Sequence, residues 1–366
     1  MGWTYVVMHL RREVAEICED GQCRILEPDF LPYNLYLEED SDLDARVNNL
    51  SNFYYWCATR VLPVDRTFVK EILNAVGAGQ GTTDRDRARI ALSYHCVTLT
   101  DVFWVKKAGE SVCFEDINLY EHSLSDAFVG VSLFGRSLTL ENEKLLRWED
   151  TAGDISTRGA VPKAWIKRDG IFYLLKDGGI RDVEAELRAS RIIRCFKIDQ
   201  VYYEPYEFEG ASVSISRLIT SLDKSIVPME FTEIYALNHD TSRVEMIEKY
   251  DLYGFHMMNI VDYLVGNTDR HWGNWGFEID NRTNLPTKLH ALMDFNKAFL
   301  GYDHLEGARC MTTTDRVSQM EAALRGVHCV GLNQTGEVKR EWFSCEAEWQ
   351  MFNRRLEVLR SQLNGT

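Results

Sequence analysis

The sequence predicts an α+β protein of more than one unit, and three observations carry that expectation. Its 366 residues exceed what most single cores hold. Short apolar stretches bounded by turn residues mark strands in the first two thirds. After about residue 243, apolar residues recur at spacings of three and four, the period of helices. The expected divisions are 1–148 as an α+β region of its own, 149–235 as a β-rich region and 236–366 as a mostly helical one.

In the first region "YVVMHL" (5–10), "DVFWVKKAG" (101–109) and "FVGVSLFG" (128–135) read as strands. "TFVKEILNAV" (67–76) reads as a helix with Phe68, Ile72 and Ala75 on one face. The glycines of "GAGQGTT" (77–83) follow a helix and precede no Lys, so they read as a helix end and connection instead of a phosphate loop.

The middle region opens with "ISTRGAVPK" (155–163), then "AWIKR" and "IFYLLK", two strands joined by the hairpin pair Asp169-Gly170. "DVEAELRASRIIRCF" (182–196) is an amphipathic helix with Leu187, Ile192 and Phe196 among its apolar residues, and "VYYEPYEFEGASVSISRLI" (201–219) another hairpin. Leu252, Phe255, Met258, Val261 and Leu264 or Val265 then line a buried helix that ends at "GNTDRHWGNWGF" (266–277). "WGFEID" and "KLHALMDF" follow as a strand pair, with Asp294 ending the second. A last helix carries Trp349, Phe352, Leu356, Leu359 and Leu363 on one stripe, with Arg354, Arg355 and Arg360 on its other faces.

Composition narrows the partners. Forty-one Lys plus Arg against 56 Asp plus Glu leave a net charge of −15, which argues against nucleic acid as a direct ligand. No apolar run approaches the ~18 residues a membrane span needs, and the start has no leader or lipidation pattern, with Val6 where myristoylation wants Ser or Thr. Nine scattered cysteines, none in a CxxC pair, read as reduced thiols of a cytoplasmic protein and suggest no zinc site.

The chemistry lies in "DRHWGN" and "MDFN". An Asn carbonyl (Asn274) and a carboxylate (Asp294) suit a hard cation such as Mg²⁺, completed by water and phosphate oxygens. Asp269 is then left to accept a hydroxyl proton. That is the division of labour in kinases, which also need a strand lysine on the phosphates and a helix acid beside it. Lys176 and either Glu186 or Glu184 are the candidates. Gly159 permits close backbone approach to phosphates, although Pro162 removes one N–H donor.

His271 reads as loop support, since Asp269 already suits the proton. Trp272 and Trp275 read as packing around the loop, and Arg270 as either a phosphate or substrate contact or a solvated or salt-bridged side chain.

"NTDRHWGNWGF" resembles the Asn-x-Asp-x-His-x-x-Asn catalytic loop of HipA-like kinases, and "ISTRGAVPK" is similar to that family's Ile-Ser-x-x-Gly-Ala-x-x-Lys phosphate loop. The resemblance covers about 150–300. It implies a bilobal protein-kinase-like fold with a β-rich N-lobe (149–235), a mostly helical C-lobe (236–366) and an additional N-terminal α+β region. It further implies an ATP- and Mg²⁺-dependent serine/threonine protein kinase of toxin–antitoxin, phage or effector type, with a protein substrate and an antitoxin or other regulatory protein as partner.

Carried over residue by residue, Asp269 is the catalytic base and Asn274 and Asp294 are the metal ligands. Lys176 is the phosphate lysine with Glu186 its partner, and Ser156, Gly159 and Lys163 form the nucleotide-binding loop. Ser156 matches the position whose autophosphorylation silences members of the family. "FNKAF" after the metal Asp departs from the family pattern, and 1–148 matches the family's N-terminal module only loosely.

Three rivals use the same residues differently. A metal-dependent phosphoesterase would bind a divalent ion through Asp269, His271 and Asp294. A small-molecule kinase shares the whole layout, and a non-catalytic kinase-fold interaction module would keep the fold alone.

Overall fold

A computed structural model of the chain describes residues 4–75, 83–122, 126–135 and 160–364. The chain packs as two compact units, the first comprising Met1–Lys176, Thr220–Ser225 and Ile279–Leu285, the second Asp177–Ile219, Ile226–Glu278 and Pro286–Thr366.

The first unit holds strands β1 (Tyr5–His9), β2 (Arg12–Ile17), β3 (Cys23–Ile25) and β4 (Phe103–Lys107), antiparallel in the order β3-β2-β1-β4. Helices α1 (Leu43–Ala58), α2 (Val69–Ala75), α3 (Asp84–Ser93), α4 (Phe114–Ile117) and α5 (Asp126–Phe134) accompany this sheet. Helix α1 starts where Asp42 accepts the Asp44 N–H, and α3 where Thr83 accepts that of Asp86, the side-chain capping that orphan N–H groups require.

Two expectations fail here. "FVGVSLFG" is helix α5, not a strand: Val129, Val131, Ser132 and Leu133 are all buried, so the apolar alternation that reads as a strand does not divide a covered face from an open one. Phe68 lies before α2 at φ +62, outside the helical face.

Strands β5 (Lys163–Arg168) and β6 (Ile171–Lys176) form the expected hairpin, with Lys163 opposite Lys176. Asp169 and Gly170 both take positive φ (50° and 76°), the twist a two-residue hairpin favours.

In the second unit, α6 (Ile180–Ile193) precedes the antiparallel pair β7 (Tyr203–Phe208) and β8 (Ala211–Arg217), turned by Glu209 and Gly210. Strands β9 (Lys224–Pro228), β10 (Gly276–Asp280) and β11 (Leu285–Leu289) form a sheet ordered β11-β10-β9. Their outer ends belong to the first unit, where Asn284 donates to the carbonyls of Asp29 and Leu31 and accepts from Tyr33 Oη. Gly276 has no room for a side chain, because a Cβ would lie 2.0 Å from the Val227 carbonyl oxygen.

Helices α7 (Met229–Asn238), α8 (Arg243–Tyr250), α9 (Leu252–Val265), α10 (Gln319–Val330) and α11 (Glu346–Asn364) complete the second unit. Asp251 separates α8 from α9 and caps α9 by accepting the Gly254 N–H at 2.7 Å. From Met257 to Val265 every residue of α9 is buried. Gly326 of α10 lies so close to it that a Cβ would sit 2.9 Å from the His256 carbonyl oxygen.

Strand β11 ends at Leu289, so Asp294 stands five residues beyond it, at φ +58, instead of ending the strand. Arg355 is also not on a solvated face. It is 1% exposed and donates to the carbonyls of Tyr263 and His304. All nine cysteines are free thiols. Among the described residues, no helix is long and apolar enough to cross a membrane.

Candidate active site

Helix α9 ends where Gly266 adopts a left-handed conformation (φ 62), and a Cβ there would lie 2.4 Å from the Tyr302 ring. The sharp turn starts the candidate loop. Asn267, 1% exposed, sends its amide nitrogen to Asp262 Oδ1 (3.1 Å) and the Asp294 carbonyl (3.4 Å), while its oxygen accepts the Asp269 N–H at 3.3 Å. Gln319 at the start of α10 binds the Asn267 carbonyl at 2.6 Å. One buried amide thereby joins the end of α9, the loop and the backbone of Asp294.

Arg270 is the loop's anchor. Only 3% exposed, it donates from Nε and Nη2 to the two carboxylate oxygens of Asp262, and from Nη1 to the carbonyls of Asn274 (2.8 Å) and Met293 (2.6 Å). Burial works against its charge, but the adjacent Asp262 carboxylate and its hydrogen bonds outweigh burial and push the guanidinium pKa up.

Asn274 closes the loop from the other end. Its Nδ2 donates to the Asp269 carbonyl at 2.9 Å, and its N–H to the His271 carbonyl. With the amide nitrogen committed to the backbone, the amide oxygen is the atom left for a cation.

His271 is exposed, and its Nδ1 accepts the Gly273 N–H at 3.0 Å, so it stiffens the turn without packing into the core. Trp275 is fully buried and Trp272 partly so, with its indole N–H on the Met311 carbonyl and the Arg243 guanidinium 4.2 Å from its ring centre. Asp269 and Asp294 are both half-buried.

The donor set suits Mg²⁺: an amide oxygen at Asn274 and a carboxylate at Asp294 are both hard oxygen donors. Among the described residues, no group of three or more His, Cys, Asp or Glu side chains could hold a metal.

The nucleotide-side candidates lie apart in sequence. Lys163 and Lys176 are 7% and 4% exposed and occupy opposed positions on β5 and β6 of the first unit. Glu186 on α6 of the second unit is 1% exposed and accepts a hydrogen bond from Ser214 at 2.8 Å, whereas Glu184 is exposed. Ser156 and Gly159 lie outside the described residues, as does most of "GAGQGTT".

Sequence reasoning gave no role to Asp262, Asn267 or Gln319 and left Arg270 open. The signal was present in "IVDYLV": a carboxylate inside an otherwise apolar helix must find a partner.

No protein-family model and no curated protein matches the chain. Among solved structures, the proinflammatory kinase CtkA of Helicobacter pylori matches at 11% identity over 56% of this chain and 90% of its own, with a TM-score of 0.44. HipA, in the complex of the Shewanella oneidensis MR-1 toxin–antitoxin system with HipB and operator DNA, matches at 11% identity over 99% of this chain and 98% of its own, with a TM-score of 0.52. That end-to-end correspondence, with the mixed helices and antiparallel sheets above, identifies the fold of the chain as the HipA-like kinase fold.

Proposed function

We propose that the chain is a kinase transferring the γ-phosphoryl group of ATP to a Ser or Thr hydroxyl of a protein. The observation that carries this reading is the closed loop in which Asn274 Nδ2 binds the Asp269 carbonyl, while Asn267 ties the same loop to the backbone of Asp294. A base candidate and two hard ligands are thereby carried on one braced frame.

In this reading Asp269 accepts the acceptor hydroxyl's hydrogen bond and takes its proton as the phosphoryl group arrives. Asn274 and Asp294 would hold Mg²⁺, which when bound neutralises charge on the phosphate oxygens. Lys176 holds the α- and β-phosphates and Glu186 orients it. Gly159 and Lys163 contribute to the phosphate loop, and His271 keeps the turn before Asn274 in shape.

Ser156 is the proposed autophosphorylation position. About two added negative charges beside bound phosphates would repel them and silence transfer. An antitoxin-like or other regulatory protein is the proposed partner, by analogy with the HipA–HipB complex. The protein acceptor rests on the loop resemblance, since a small-molecule kinase needs the same layout.

The test is Asp269→Asn in the purified full chain, incubated with labelled ATP alone and with lysate. Phosphoryl transfer should fall by roughly 10²–10⁴-fold while ATP affinity changes little. Unchanged transfer would overturn the assignment, and label appearing only on metabolites would move the acceptor to a small molecule.

A further inference from the structure

We propose that Asp182 is a positioning residue that latches the segment carrying Asp294 onto helix α6, so that Glu186 and Asp294 are placed by one rigid element. The proposal rests on the kinase reading above. Its starting point is the departure in the sequence after the metal-ligand candidate, "FNKAF".

Both polar side chains of that departure converge on one carboxylate. Asp182 Oδ2 accepts from Lys297 Nζ at 2.6 Å and from Asn296 Nδ2 at 3.3 Å. These donors follow Asp294 by two and three residues. On α6, Asp182 lies four residues before Glu186, so the two carboxylates share a helix face.

The setting favours a fixed contact. Asn296 is 8% exposed, and the side chains of Asp182 and Lys297 are 18% and 37% exposed, so the charge–charge part is screened while the hydrogen-bond geometry persists. Gly178 folds tightly over Asp182, where a Cβ would come within 2.8 Å of the aspartate's own Cβ.

Asp294 needs such bracing. It is a non-glycine residue at φ +58, a less common backbone conformation that its neighbours help to hold. Its N–H donates to Tyr203 Oη at 3.2 Å and its carbonyl accepts from Asn267. The Asp182 latch adds an attachment immediately downstream, through Asn296 and Lys297. Without it, Asp294 can swing with the 295–298 backbone, and α6 no longer reports its position to the metal side of the site.

The experiment uses the full chain with Asp182→Asn, Lys297→Met and the exchanged pair Asp182→Lys with Lys297→Asp. Hydrogen exchange at the amides of 294–298, measured without nucleotide, should accelerate about tenfold in each single variant and recover to within about threefold in the exchanged pair. In phosphoryl-transfer assays the single variants should need about tenfold more Mg²⁺ for half-maximal rate, with kcat at saturating Mg²⁺ within about twofold of wild type.

Wild-type exchange rates in both single variants would overturn the latch whatever the nucleotide assays give. A wild-type chain that neither binds nor uses Mg-ATP would instead remove the kinase reading, and exchange would still decide the latch.

Discussion

Arg270 and Asp262 form a two-bond ion pair within the second unit, with Nε–Oδ2 at 2.8 Å and Nη2–Oδ1 at 3.0 Å, and both side chains are at most 5% exposed. The pair joins the last turn of α9 to the residue after the candidate base. Because Arg270 also binds the carbonyls of Asn274 and Met293, the charge that stabilises the fold also shapes the candidate site.

Removing one partner of this pair should be far worse than removing both. Asp262→Ala or Arg270→Ala strands a buried charge and should cost roughly 3–5 kcal/mol in urea unfolding. The double variant Asp262→Leu with Arg270→Met keeps apolar volume and should lose less than either single change. Additive losses in the double-mutant cycle would show that the two side chains do not depend on each other.

How much of this was legible in the sequence follows from what each residue's signal depends on. Asp169-Gly170 announces a hairpin because the turn chemistry is local, and the hairpin is there. "FVGVSLFG" carries no such local marker, and with consecutive Val131, Ser132 and Leu133 all buried, its alternating apolar residues did not mark one face. The same contrast holds at the site. "DRHWGN" announces itself by composition, whereas the Arg270–Asp262 pair needs the turn at Gly266 to bring residues eight apart together. Asp294 was expected to end a strand, but nothing local says that β11 stops at Leu289.

Asn274 and Asp294 should separate in titrations with Mg²⁺. Asn274→Ala removes both the proposed ligand and the brace on the Asp269 carbonyl, so it should weaken Mg-ATP binding and also lower kcat. Asp294→Asn keeps size and hydrogen-bonding capacity while losing charge, and should raise the Mg²⁺ requirement by about 10–100-fold. Calorimetry with ATP, at several Mg²⁺ concentrations, measures both. Wild-type affinity in either variant would remove that residue as a ligand.

In the first unit, Arg66 and Thr67 grip the last residues of the phosphate-loop candidate. Arg66 is 3% exposed and donates to the Lys163 carbonyl at 2.6 Å, while the Thr67 N–H (2.9 Å) and hydroxyl (2.8 Å) share the Ala160 carbonyl. Burial lowers the Arg66 pKa to about 10, so it stays charged at neutral pH. Arg66→Ala should destabilise this unit by about 1–3 kcal/mol and raise the KM for ATP. Thr67→Val, which keeps the backbone bond, should cost under about 1 kcal/mol. Thermal unfolding and ATP titration of the same samples test both, and an Arg66→Ala chain with unchanged KM would confine its role to stability.

Each unit also carries a buried neutral histidine, His9 in the first and His290 in the second, both 2% exposed. Burial lowers each to about 4 from the ordinary 6.5. For His9 this wins against the nearby Asp101 carboxylate, and for His290 against the hydrogen bond its Nδ1 makes with the Ala291 carbonyl. A base whose folded pKa is depressed binds its proton more readily when unfolded, so stability rises with pH between the two values. The contribution is complete above about pH 6.5 and is lost as pH falls toward 4, by about 3 kcal/mol for each histidine. Urea unfolding at intervals from pH 7.5 to 4 should show this loss in the wild-type chain. His290→Gln should flatten the slope for the second unit and His9→Gln that for the first, and a slope unchanged by either substitution would assign the acid sensitivity to carboxylates instead.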